Sequence, residues 1–81
     1  PLVPFVVFVD DFNYFIELDF IEGIGVVEIV ISQSGSVIYS SSENILSPLR
    51  KYLQLPFGVS GEYCIEIKGD NGAYVYGCFE L

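Results

Sequence analysis

Cys64 and Cys78 are the two cysteines of this chain, and they flank the turn sequence Asp70-Asn71-Gly72. A three-residue hairpin loop with Gly at its left-handed position brings the segments on either side together as antiparallel strands. Pairing Gly69 with Ala73 sets Cys64 opposite Cys78, Glu62 opposite Glu80, Glu66 opposite Tyr76 and Lys68 opposite Tyr74 on one side of the hairpin. Directly opposed strand positions lie about 4.5–5.5 Å apart at Cα, within disulfide reach. Four fates are open to such a pair: a disulfide in an oxidising compartment, free thiols, a redox couple or metal ligands. The redox reading lacks two close cysteines beside a helix start, and the metal reading lacks further soft ligands. A disulfide would close a loop of about 15 residues, for which chain entropy gives at most about 3 kcal/mol.

The other chemistry on offer is carboxylate and phenol. Glu62 and Glu80 form a cross-strand carboxylate pair, but a glycosidase needs such a pair in a cleft and this one falls on a flat sheet face. Asp19, Glu22, Asp70 and Asn71 are hard-oxygen donors that one end of a sandwich would gather for Ca²⁺; ordinary turn chemistry explains the same residues. Tyr74 and Tyr76 form an aromatic stripe suited to sugar stacking or a protein partner, or to simple strand packing with Lys68 lying over Tyr74.

Composition excludes more than it offers. The chain has 11 acidic and 3 basic residues, a net charge of −8, and no His, Met or Trp. Without His the usual general base is missing, and no Gly-rich phosphate loop or nucleophile elbow is present. Arg50, Lys51 and Lys68 are too few to hold a nucleic acid or an anionic membrane surface. At 52% hydrophobic residues the chain is not of the disordered class, and charges at Glu17, Asp19, Glu22 and Glu28 interrupt every run long enough to span a bilayer. Hence no catalytic residue, cofactor or metal is assigned, and neither nucleic acid nor membrane insertion is expected.

The elements that must position these residues read as six or seven strands in one domain over residues 1–81, since β-branched and aromatic residues alternate with polar ones between turn signals. Phe5–Val9 ends at Asp10-Asp11-Phe12-Asn13, whose side chains can bond their own backbone. Tyr14–Phe20 puts Tyr14, Ile16, Leu18 and Phe20 on one face. Val26–Ser32 points Val27, Ile29 and Ile31 inward, and Gln33-Ser34-Gly35-Ser36 turns it into Val37–Ser41. Segment 47–55 has a helix-like Ser47-Pro48 start, yet its Leu49, Lys51, Leu53 and Leu55 alternate; a short strand is the expectation. Glu62–Lys68 and Ala73–Leu81 complete the set.

Leu55-Pro56, Gly61-Glu62-Tyr63, the Asp70-Asn71-Gly72 turn and Gly77-Cys78-Phe79-Glu80-Leu81, with Val26–Tyr39, together resemble a small secreted β-sandwich family of unknown function common in gut Bacteroidetes. The resemblance spans about residues 14–81. The chain is also similar to type IX secretion C-terminal sorting domains, although it ends in Glu80-Leu81 where those end in a basic residue. The resemblance implies an exported protein with an immunoglobulin-like antiparallel β-sandwich, and no catalytic residue to carry over. Tyr63 falls where such sandwiches place a tyrosine corner.

The chain opens at Pro1, which fits a form processed by signal-peptide removal and then held in the periplasm, at the cell surface or outside the cell. The functional expectation is a non-enzymatic structural or protein-interaction module, with a small carbohydrate- or calcium-binding module as the alternative. Its binding elements would be Tyr74 and Tyr76, or an exposed edge strand. Phe5–Val9 is the strand most suited to pair with a protein partner or in a homodimer.

Overall fold

The computed structural model describes residues 4–70 and 72–81, and those residues form seven strands: β1 (Phe5–Asp10), β2 (Phe15–Phe20), β3 (Gly25–Gln33), β4 (Ser36–Ile45), β5 (Leu49–Gln54), β6 (Glu62–Gly69) and β7 (Tyr74–Glu80). Each arises where period-two patterning is bounded by turn chemistry. Asp10 closes β1 by accepting hydrogen bonds at Oδ1 from the backbone N–H groups of Phe12 and Asn13, while Asn13 Nδ2 donates to Oδ2. Those bonds hold the Asp10 carboxyl below its ordinary value, the Asn13 backbone bond most of all. Ser34 (φ 50°) and Gly35 (φ 87°) make the two-residue turn between β3 and β4, the positive-φ pair that matches strand twist.

Segment 47–55 is a strand where it bears on the fold: β5 pairs with β2, Leu53 opposite Ile16 and Lys51 opposite Leu18. Burial of Leu53 and Leu55 against the core outweighs the local Ser-Pro helix signal. β4 runs past the expected Ser41 to Ile45. Ser36, Ser40 and Ser42 face solvent along an edge, Ser41 is half-buried, and Ile45 returns to the core.

Two antiparallel sheets result, ordered β1-β2-β5 and β4-β3-β6-β7, an immunoglobulin-like β-sandwich in which the fourth strand joins the third rather than the first sheet. Their inner faces supply the core: Phe5, Ile16, Leu18, Phe20 and Leu53 from the smaller sheet, and Val27, Ile29, Ile31, Tyr63, Ile65 and Ile67 from the larger. No buried polar side chain among the described residues lacks a hydrogen-bond partner. The Tyr63 ring is fully buried and stacks on Phe79 with centroids 5.8 Å apart, while its hydroxyl donates to the Val59 carbonyl upstream, a tyrosine corner. Among the described residues no helix is long and apolar enough to cross a membrane.

Candidate functional site

The β6–β7 ladder has the register that the turn predicts, from Glu62 opposite Glu80 to Lys68 opposite Tyr74; Asn71, within that turn, lies outside the described residues. Gly61 and Leu81 exchange both backbone hydrogen bonds, each at 3.1 Å. Antiparallel alternation then makes Glu62/Glu80 and Cys64/Cys78 non-hydrogen-bonded pairs, the kind whose side chains stand closest. Cys64 and Cys78 have Cα atoms 4.1 Å apart and are joined by a disulfide across the ladder. Their side of the hairpin is the outer, wetter side, since Tyr63, Ile65 and Ile67 occupy the inner one.

Glu62 and Glu80 stand opposite each other as expected, both exposed at the end of the ladder, with no cleft between them. On the same face Tyr74 and Tyr76 are 50% and 60% exposed. Each phenol is tethered by its hydroxyl: Tyr74 donates to Glu66 Oε2 at 2.7 Å, which raises the phenol above its ordinary value, and the Tyr76 oxygen lies 3.4 Å from Cys78 Sγ. The sulfur of a disulfide carries no proton, so the tyrosine is the donor. Lys68 places its ammonium 3.7 Å from Glu66 Oε1.

The acidic residues considered for Ca²⁺ do not come together. Asp19 is an outward-facing residue on the central strand of the smaller sheet, its carboxylate 3.5 Å from the Arg50 guanidinium, whereas Asp70 follows β6 of the larger sheet as a turn residue and donates its N–H to the Val26 carbonyl. Among the described residues one group of Cys, Asp or Glu side chains converges within 4.8 Å, and it is Glu62, Cys64 and Cys78.

Among the described residues β1 pairs with β2 alone, and none of them pairs along its other edge. The Ile21 N–H bonds to the Pro4 carbonyl, and alternation from that pair turns the backbone groups of Phe5, Val7 and Val9 outward. Val6, Phe8 and Val9 are 44%, 53% and 39% exposed, beside a shallow hollow of about 260 Å³ lined by Phe8, Val9, Asp10, Phe15 and Glu17.

Sequence reasoning missed a larger groove of about 560 Å³ on the open side of the sandwich, walled by Ile31, Ile38, Tyr39, Tyr52, Leu53 and Leu55. It exists because β4 and β5 are edges of different sheets. A bulge that leaves Ile38 without a cross-strand partner shapes one wall, and no local sequence signal announces it. The nearby Gln54 amide is spent on fold, its Nε2 lying 2.8 Å from the Tyr14 carbonyl and 2.9 Å from that of Leu55.

No protein-family model matches the chain, and no curated protein matches it. Among solved structures the chain is similar to a DUF3244 family protein with an immunoglobulin-like β-sandwich fold from Bacteroides vulgatus, at a TM-score of 0.80 and 22% identity, covering 96% of this chain and 83% of that one. At that identity the likeness carries the fold: two antiparallel sheets packed as an immunoglobulin-like sandwich.

Proposed function

We propose that the chain is a non-enzymatic, exported interaction module that takes up a partner strand along the free edge of β1. One observation carries this reading: the sequence of β1, Phe-Val-Val-Phe-Val-Asp, holds no charge before its last residue. Natural sheets guard their edges with charge, proline or twist. The opposite edge of the same sheet, β5, is guarded by Arg50 and Lys51, and β4 presents a polar run of serines. β7, the remaining edge, is also uncharged before its last residue, but its Tyr-Val-Tyr-Gly-Cys-Phe run is interrupted by a glycine and carries polar phenols, whereas β1 is aliphatic and aromatic up to Asp10. An added strand would gain backbone hydrogen bonds from Phe5, Val7 and Val9, and side-chain contacts from Val6 and Phe8.

The partner that this edge fits without further assumption is a second copy. Two β1 strands related by a two-fold axis at Val7 set Phe5 opposite Val9 of the second copy and Val7 opposite itself, so every outward backbone group of the edge finds its complement. On the outer face, Val6 and Phe8 of each copy then form one apolar row.

Sedimentation velocity over a concentration series tests it, with Val7→Pro as the control. Proline there removes an outward N–H and no bond to β2, so the fold persists and association falls. A wild-type chain that stays monomeric throughout overturns homotypic pairing. For export, protein recovered from its native compartment should take up a thiol label only after reduction. A second reading, sugar binding at the exposed rings of Tyr74 and Tyr76, predicts glycan-array signal that Tyr76→Ala removes; a flat array rejects it.

A further inference from the structure

Glu62, Cys64 and Cys78 bring a carboxylate oxygen and two sulfurs within 4.8 Å of one another. Bonded to each other, the sulfurs are not thiolates, the form in which cysteine ligates metal. The geometry points to a second state of this cluster: with the Cys64–Cys78 bond opened by a dithiol reductant, Glu62, Cys64 and Cys78 form a site for one thiophilic divalent cation of the zinc class.

The ladder, rather than the disulfide, holds the two cysteines together. Tyr63 opposite Phe79 and Ile65 opposite Gly77 bracket them, Tyr63 is fully buried, and β6 is paired on its other side to β3 through Ser32 opposite Cys64. Opening the bond therefore frees the sulfurs while the ladder keeps the two Cα atoms near the ~4.5 Å of a non-hydrogen-bonded pair. Each cysteine has one side-chain torsion to adjust, enough to place both sulfurs at the ~2.3 Å that a tetrahedral zinc site requires. Glu62 supplies the third ligand and solvent the fourth.

Three surroundings favour a soft cation there. Glu80 faces Glu62 and adds negative charge beside the site. The Tyr76 hydroxyl, 3.4 Å from Cys78 Sγ, donates onto the sulfur as an outer-sphere partner. Two thiolates select zinc or cadmium over calcium and magnesium, which want oxygen alone.

The opening step is thiol–disulfide exchange. A thiolate of the reductant attacks one sulfur and expels the other as thiolate; its second thiolate then resolves the mixed disulfide, leaving a cyclic disulfide and two protein cysteines. Two electrons pass from reductant to protein, and the cysteine protons go to solvent as metal binds.

The test titrates Cd²⁺ into the full chain, reduced with a dithiol and freed of it without air, alongside the oxidised chain. The thiolate-to-metal absorption band and far-ultraviolet circular dichroism are read together. The expected result is a band that saturates at one Cd²⁺ per chain in the reduced protein only, with the strand spectrum unchanged by reduction. Glu62→Gln should keep the band and weaken affinity by at least about tenfold, as even outer-sphere losses cost 10–100-fold. A reduced chain that keeps its strands but shows no band, a chain that loses its strands on reduction, or a Glu62→Gln variant of unchanged affinity each overturns the proposal. None of these outcomes depends on association through β1.

Discussion

A single hydroxyl shows how a residue both fixes the fold and tests it. Tyr63 buries its whole ring against Phe79 and spends its O–H on the Val59 carbonyl, which tethers the segment leading into β6. Tyr63→Phe keeps the ring and strands that carbonyl, so equilibrium urea unfolding should show a loss of about 1–2 kcal/mol with an unchanged slope. A loss under a few tenths would mean that the corner is not held by this bond. The role of Tyr63 was legible because its position relative to Gly61 and the final hairpin belongs to a pattern. Tyr14 was only half legible. Alternation put it on the inner face of a strand, and its ring does pack, against Phe57 with centroids 5.3 Å apart; but its backbone is left-handed at φ 56°, because the turn capped by Asp10 ends on it. The acids proposed for Ca²⁺ failed for a related reason. Asp19 sits inside β2, and a carboxylate in a strand answers to its cross-strand neighbour, here Arg50, which no local reading of Asp19 includes.

Among elements, the pairings made through short turns were readable and the meeting of the two sheets was not. Hairpin β6–β7 is specified by its turn and by two apolar faces that a slip of one residue would mix. The approach of β4 to β5 has no such local source, and its polar contact is Lys51 Nζ to Glu43 Oε2 at 2.9 Å, with Ser41 Oγ also donating to that carboxylate. The Lys51 hydrogen bond holds the Glu43 carboxyl below its ordinary range, and Glu43 raises the Lys51 ammonium above its own. A lowered acid contributes stability that is present above its unfolded value, near 4.5, and lost as pH falls through the folded one. A raised amine contributes stability that is present below its unfolded value, near 10.5, and lost as pH rises through the folded one. Both side chains are 27% exposed, so solvent screening keeps the pair to about 0.5–1 kcal/mol. Urea midpoints of Glu43→Gln should therefore trail the wild type through the neutral range, and the gap should close in acid and again in strong base. A gap independent of pH would assign the effect to packing instead.

At the scale of the whole molecule, the charge of −8 and the unguarded β1 edge oppose each other, and salt decides between them. Two copies joined side by side place their centres about one short dimension apart, 21–22 Å. Treated as point charges in water at that distance, they repel by about 12 kcal/mol unscreened, more than a short strand pairing returns. Screening changes the balance steeply. With a Debye length of about 30 Å at 0.01 M salt, roughly half of that repulsion survives; at 0.1 M, where the length is about 10 Å, it falls to on the order of 1 kcal/mol. The dimer formed through β1 should thus be absent at low ionic strength and form near physiological salt, gaining little above it because the rest of the interface is backbone and apolar contact. Sedimentation of one protein concentration across a salt series reads this directly. A dimer that weakens as salt is added would be held by ion pairs, and would place the interface at Arg50, Lys51 or Lys68 rather than on β1.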